Sequence, residues 1–273
     1  MRKRFKYALI AIPVVILLII AIHVLSALTL DRKIAYTEIS FASPDIPQEL
    51  NGYVVAFITD THALPKAELE KVVERMNARQ IDLLLLGGDF PSKDNAPWRS
   101  MEVLEQTRTT DGIFGVDGNH DNWWELFAAM QAHGIRPLNN AGLYLRPGFY
   151  LAGVADLWRR QPEVVKAVQN ADMQDFVLLV SHNPDVAMQQ DTTKVDLMLS
   201  GHTHGGQITF FGLWAPRLWP MPGITAYGHK FKAGWVKAPY DTTVFVSRGA
   251  GPLETAPRVF ARPQIIFITL TSQ

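Results

Sequence analysis

Five short apolar runs in this chain stop at the same kind of residue. VVAFI is followed by TDTH, LLLL by GGD, IFGV by DGNHD, FVLLV by SHNP and LMLS by GHTH. A short continuous apolar run has no face to give to water, so each reads as a strand buried on both sides. A carboxylate or imidazole at the buried end of such a strand is expensive unless something positive meets it. Gly87 and Gly88, just before Asp89, indicate that something approaches the backbone closely there.

Helical segments separate these runs. PKAELEKVVERMNARQ opens with proline and carries Leu69, Val72, Val73 and Met76 on one face, with charged residues on the other. Residues 97–106 form a plausible helix, and NWWELFAAMQAHG reads as one closed by Gly134. QPEVVKAVQN and PDVAMQQ are helical, FYLAGVAD is a strand, and TVFVSRG and QIIFITL end the chain as strands. Alternation of strand and helix predicts an α/β fold with a largely parallel core, and the strand-rich C-terminal part predicts a second sheet. In open α/β sheets the chemistry collects at the carboxyl ends of strands, which is where the polar residues fall here.

Asp60 and His62 follow the first run, Asp89 the second, Asn119, His120 and Asp121 the third, His182 the fourth, and His202 and His204 the fifth. Such a set exceeds what one octahedral ion can use, so it predicts more than one metal. Mixed oxygen and nitrogen donors without sulfur suit Mn, Fe, Co, Ni or Zn rather than Ca or Mg alone. Asp60 with His62, and His202 with His204, use the two-residue repeat of extended chain to aim two side chains one way. The chain has no cysteine, which excludes disulfides, zinc–thiolate sites and cysteine nucleophiles.

Tyr7 to Leu30 contains no Asp, Glu, Lys or Arg, and as a helix would span about 36 Å, enough to cross a bilayer. A removable signal peptide is the competing reading, but the apolar run is longer than a usual signal core and no A-x-A site follows. An uncleaved anchor is therefore expected, dividing the chain into a basic tip and transmembrane anchor (1–30), a linker and leading strand (31–50) and a main domain (51–273). Arg2, Lys3, Arg4 and Lys6 precede the span, which puts the N-terminus in the cytoplasm and the domain outside; Arg32 and Lys33 argue the other way. His23, inside the span, reads as a neutral packing residue near the far interface. Residues 31–273 carry a net charge of −4, a poor balance for binding a nucleic-acid backbone, so no nucleic-acid partner is expected.

In order, TDTH, GGD, GNHD, SHNP and GHTHGGQ resemble the five-block signature of the calcineurin-like metallophosphoesterases, across residues 57–207. With VSRGAGP and RPQIIFITL, the chain is similar to the membrane-anchored bacterial subgroup that includes the YkuE and YaeI proteins and a UDP-diacylglucosamine pyrophosphatase. The resemblance implies a four-layer αββα sandwich with two divalent metals, Mn, Fe or Zn, between the sheets. It allots Asp60, His62, Asp89 and His204 to one metal and Asp89, Asn119, His182 and His202 to the other, with Asp89 as the bridge. Cations roughly 3.5–4 Å apart can share a hydroxide and hold a phosphoryl group for in-line attack. His120 is then placed to meet the phosphate or protonate the leaving oxygen, and Asp121 to orient His120 from behind. The implied function is a membrane-anchored phosphohydrolase acting on a phosphodiester or pyrophosphate, lipid-linked or not. A phosphomonoesterase and a non-catalytic metal-binding scaffold are the alternatives.

Three further stretches carry expectations. His133 suits a helix C-terminus and His229 a loop surface, whereas Arg248 in VSRG is a candidate phosphate contact. FFGLWAPRLWPMPG, 210–223, is either a core loop on the second sheet or an apolar lip at the site mouth dipping into the membrane interface. In the second case Trp214 and Trp219 would contact a lipid substrate.

Overall fold

The computed structural model describes residues 2–62, 64–90, 96–216, 224–252 and 256–273. An N-terminal helix, α1 (Arg2–Leu28), precedes two six-stranded sheets. The first sheet holds β1 (Ala35–Ser43), β2 (Val54–Ile58), β3 (Leu83–Leu86), β4 (Ile113–Gly115), β5 (Arg136–Pro137) and β12 (Gln264–Ser272), in the order β1-β12-β2-β3-β4-β5. The second holds β6 (Ala141–Arg146), β7 (Phe149–Gly153), β8 (Phe176–Val180), β9 (Leu197–Ser200), β10 (Gly234–Lys237) and β11 (Thr243–Val246), in the order β10-β11-β9-β8-β7-β6. Neighbours β2, β3, β4 and β5 run parallel, as do β7, β8, β9 and β11.

Period-two alternation within the apolar runs explains the layering. Leu83 and Leu85 point between the sheets, where they meet Phe57, Phe149, Leu178 and Leu199. Leu84 and Leu86 point the other way, onto α2 (Lys66–Asn77), α3 (Ala96–Leu104) and α4 (Trp123–Ala132). The outer face of the second sheet, with Ala152, Val177, Leu179 and Met198, packs on α5 (Val164–Ala167) and α6 (Val186–Gln189). Three apolar clusters thus separate four layers, helix–sheet–sheet–helix, the architecture that the resemblance implies. Four consecutive leucines are needed because β3 is covered on both faces, and all four are fully buried.

Most of the expected elements are present. Leu69, Val72, Val73 and Met76 form the buried face of α2. His133 caps α4 and pairs with Glu105 at 2.9 Å, and Gly134 follows at φ +67°, a left-handed turn suited to glycine. The helix expected over 161–170 is shorter, Val164–Ala167. The strands β5, β6 and β10 escaped the sequence reading: they lie at sheet edges, and their mixed exposure leaves no clean apolar pattern. Strand β1 pairs with β12 over nine residues, Ala35 with Gln264 through Ser43 with Ser272, so the leading strand is itself an edge of the first sheet.

Replacing Leu85 by Ala should lower unfolding stability by about 2–5 kcal/mol, because the space between two sheets cannot collapse. Val165→Ala, at a site 62% exposed, should change it by no more than about 0.5 kcal/mol. Denaturant unfolding of the full chain in detergent, followed by circular dichroism, checks both; equal effects would contradict the layered packing.

Candidate metal centre

Both sheets send the carboxyl ends of their parallel strands to one edge of the sandwich. Asp60 and His62 follow β2, Asp89 follows β3, Asn119 and His120 follow β4, His182 follows β8, and His202 and His204 follow β9. Main-chain bonds stitch the edge together: Asp60 N–H donates to Gly88 O at 2.9 Å, Gly201 N–H to His182 O at 3.0 Å and Gly251 N–H to Asp60 O at 2.8 Å.

All seven expected ligands converge there, and all are buried. His62 Nε2 lies 3.0 Å from His204 Nε2, and His204 Nε2 lies 3.2 Å from Asp60 Oδ1. On the other side, His182 Nε2 lies 3.2 Å from Asp89 Oδ2 and 3.2 Å from Asn119 Oδ1. Ligands held about 2.0–2.2 Å from one cation at right angles stand about 3 Å apart, so this spacing fits cation sites. Among the described residues, two donor groups meet the geometric requirement, Asp60 with His62 and His204, and Asp60 with Asp89 and His182. His202 stands beside the second, its ring 5.1 Å from that of His182.

The hydrogen bonds decide which atoms are left to bind. His182 Nδ1–H donates to Gly87 O at 2.7 Å, which leaves Nε2 free. His202 Nε2–H donates to Ile224 O at 2.7 Å, which leaves Nδ1. Asp89 Oδ1 accepts the N–H of His120 at 2.8 Å, so Oδ2 is the free oxygen. That single atom is 3.2 Å from His182 Nε2 and 3.5 Å from His62 Nε2, a position suited to one-atom bridging between the two groups. A Cβ at Gly118 would collide with Asp89 Oδ1, and one at Gly201 with Asp60 Oδ2; both positions need glycine for that reason.

The backbone of the ligands is strained. Asp60, His62, Asp89, His202 and His204 have φ of +53°, +39°, +59°, +69° and +52°, in the left-handed region that L-residues rarely adopt. Electrostatics point the same way. Burial opposes ionisation of Asp60, yet the imidazoles of His204, His182 and His62 outweigh it and hold its carboxyl well below the usual range. Burial, then the neighbouring His204, pushes His62 down to about 4. Burial and His182 push His202 down to about 3, a neutral imidazole suited to ligation. His182 is the exception: burial lowers it, but Asp89 dominates and raises it well above the ordinary histidine value.

Of the other candidate residues, Asp121 and Arg248 stand differently from the sequence expectation. The ring of His120 is exposed and meets that of His62 at 5.3 Å, on the open side. Asp121 does not back His120: its carboxylate accepts the N–H groups of Asp89 (2.7 Å), Gly118 (2.8 Å) and Phe90 (2.8 Å) and so braces two ligand loops. Arg248 passes beneath Gly205, and its electrostatic neighbours are Asp31 and Arg262 rather than the ligand atoms. Trp214 is 44% exposed and lies 6.4 Å from the ring of His229. Trp219 lies outside the described residues.

Three residues were missed. Arg258 is buried and donates to the carbonyls of Gly251, Arg248 and Ala261, with Nη2 3.1 Å from His204 Nδ1. No spacing rule would find it, since it is far from the motifs in sequence. Trp158 and Arg159 follow β7 in ADLWRR, so the strand-end rule could have flagged them. The Trp158 ring stands edge-on to His202 at 4.5 Å, and Arg159 Nε donates to Asn119 O at 2.9 Å. Among the described residues, the terminal nitrogens of Arg159 make no hydrogen bond.

Comparison with known proteins agrees with this geometry. Residues 53–206 match the sequence profile of the family described as "Calcineurin-like phosphoesterase". An "Uncharacterized metallophosphoesterase" of Helicobacter pylori is 28% identical over 238 residues, covering 79% of this chain and 59% of its own length. A "Transmembrane protein with metallophosphoesterase domain" of Danio rerio is 28% identical over 251 residues, covering 82% of this chain and 54% of its own. "Uncharacterized metallophosphoesterase YkuE" of Bacillus subtilis is 29% identical over 258 residues, covering 88% of this chain and 87% of its own. The chain thus spans under two thirds of the first two relatives and most of the third. With more than half of its length inside the family profile and the ligand motifs assembled at one edge, the chain belongs to the calcineurin-like phosphoesterase family.

Proposed function

We propose that this chain is a membrane-anchored phosphohydrolase that uses two divalent transition-metal ions to cleave a phosphodiester or pyrophosphate with a lipid-linked half. The observation that carries the reading is Asp89 Oδ2, a single free carboxylate oxygen within 3.5 Å of imidazoles from both donor groups. Asp60, His62 and His204 would hold one ion and Asn119, His182 and His202 the other, with Asp89 between them. When bound, such a pair supplies Lewis acidity, lowering the pKa of a water and polarising phosphoryl oxygens.

The chain's own residues do the rest. Gly87 O and Ile224 O fix the tautomers of His182 and His202. His120, on the open side, donates a hydrogen bond to a non-bridging phosphate oxygen and delivers a proton from a ring nitrogen to the leaving oxygen. Arg159, tied to Asn119 by Nε, directs its terminal nitrogens to the phosphate. The helical stretch Ala11–Arg32, made of most of α1 and the short turn after it, is long and apolar enough to cross a membrane, and we read it as the anchor, with the domain outside the cytoplasm.

Full-length chain in detergent, assayed with bis(p-nitrophenyl) phosphate and with p-nitrophenyl phosphate, should turn over the diester faster; the reverse would make it a monoesterase. Asp89→Asn should abolish turnover of both, and normal activity in that variant would remove the bridge from the account. His120→Asn should lower kcat about 10²–10⁴-fold while retaining bound metal. Arg159→Ala should act mainly by raising KM several-fold, and an unchanged KM would contradict its assignment to the phosphate.

A further inference from the structure

The last turns of α1 are docked on the domain by contacts no sequence motif announced. The His23 ring stacks on Phe210 at 5.3 Å and meets Phe211 at 4.6 Å and Phe260 at 4.9 Å. Just beyond the helix, Asp31 Oδ2 accepts from Ser26 Oγ at 2.6 Å and from Phe260 N–H at 2.7 Å. Arg262 Nε donates to Lys33 O at 2.9 Å. His23 lies five residues before the end of α1, about 7.5 Å of helix rise inside the apolar segment. Phe210 and Phe211, which touch it, must sit at that depth.

The loop around them is built for an apolar solvent. Ile208, Phe210, Phe211, Leu213 and Trp214 are 39%, 48%, 37%, 77% and 44% exposed, a contiguous apolar surface that is costly in water. Six of its seven backbone N–H groups, all but that of Phe211, are nevertheless paired. Phe210 N–H donates to Trp214 O at 2.7 Å, Leu213 N–H to Phe210 O at 3.0 Å and Gly212 N–H to Thr209 Oγ1 at 2.9 Å. Lys232 Nζ donates to Gly212 O and, at 3.0 Å, to Leu213 O. Exposed apolar side chains over a largely paired backbone suit a bilayer better than water. Beside the same turns of α1 lies a cavity of about 1070 Å³, with Val24, Ala27, Leu28 and Val72 on its apolar wall and Arg32, Lys33, Glu68 and Lys71 among its charged lining.

We infer that the 208–214 loop is a second membrane-inserted element, immersed with Phe260 in the outer acyl region of the bilayer that α1 crosses. The inference rests on reading α1 as a membrane span. Its consequence for the site is geometric. The loop is flanked by buried Gln207 and Ala215, and further along the chain the Ile224 carbonyl accepts His202 Nε2–H. Beyond it, Ala226 N–H donates to Asp185 Oδ2 at 2.8 Å, in the motif that carries His182. Insertion of the loop therefore fixes the metal centre at the membrane surface, where phosphate groups of lipids lie, rather than on a free tether. Lys232, which holds the Gly212 and Leu213 carbonyls, and its electrostatic neighbour Arg248 put positive charge near the loop, a complement to anionic headgroups there.

Because the chain has no cysteine, single cysteines report position directly. Leu213→Cys, Leu18→Cys in α1 and Val165→Cys on α5 are each spin-labelled in the full chain, in vesicles of phosphatidylcholine with one third phosphatidylglycerol. Relaxation by oxygen and by a nickel chelate then gives depth. The label at Leu213 should shift toward oxygen, as at Leu18, and away from the nickel-accessible value at Val165. A water-like label at Leu213 beside a lipid-like label at Leu18 overturns the inference and leaves the anchor standing. Water-like labels at both positions overturn the anchor and the inference together. Trp214→Cys repeats the measurement if Leu213→Cys does not fold.

Discussion

Two carboxylates, one amide and three imidazoles are packed so that their free atoms face one another at about 3 Å, with the His202 ring beside them. Without a positive centre those atoms repel or compete for protons. Everything near the edge of the sandwich is arranged around this convergence. The left-handed backbones of Asp60, His62, Asp89, His202 and His204 cost of order 1–3 kcal/mol each, and such strain persists only where surrounding structure enforces it.

The enforcing structure is the pair of parallel half-sheets. Each strand delivers its carboxyl end to one edge, and the hydrophobic layers set the sheets at a fixed separation. Asp121 and Arg258 then lock the ligand loops from behind, the first by accepting three backbone N–H groups, the second by donating to backbone carbonyls. Burial and the nearby Asp89 carboxylate push Asp121 up to about 7, which makes it a brace held at a cost rather than an ordinary surface acid.

Much of this was legible in the sequence, for a physical reason. A polar residue at the end of a run such as LLLL is displayed by burial around it, so all seven candidate ligands and the buried sheet-forming runs could be read directly. What escaped was set by side-chain reach. Asp121 neighbours His120 in sequence but turns to the Asp89 loop; Arg248 follows a strand but passes under Gly205; Arg258 reaches His204 from 54 residues away. Edge strands escaped because their exposed faces carry no apolar period. For residues 210–214, composition left a core loop and a membrane lip both open; exposure of Leu213 at 77% and the contact of Phe210 with His23 favour the lip.

The account's central claim is a bridged pair of cations at the sandwich edge. Metal analysis of the full-length chain by plasma mass spectrometry, combined with anomalous scattering from crystals of the metal-loaded protein, tests it most directly. The account requires two ions per chain, one on each side of Asp89. One ion per chain, or two ions with Asp89 bound to only one of them, would contradict it.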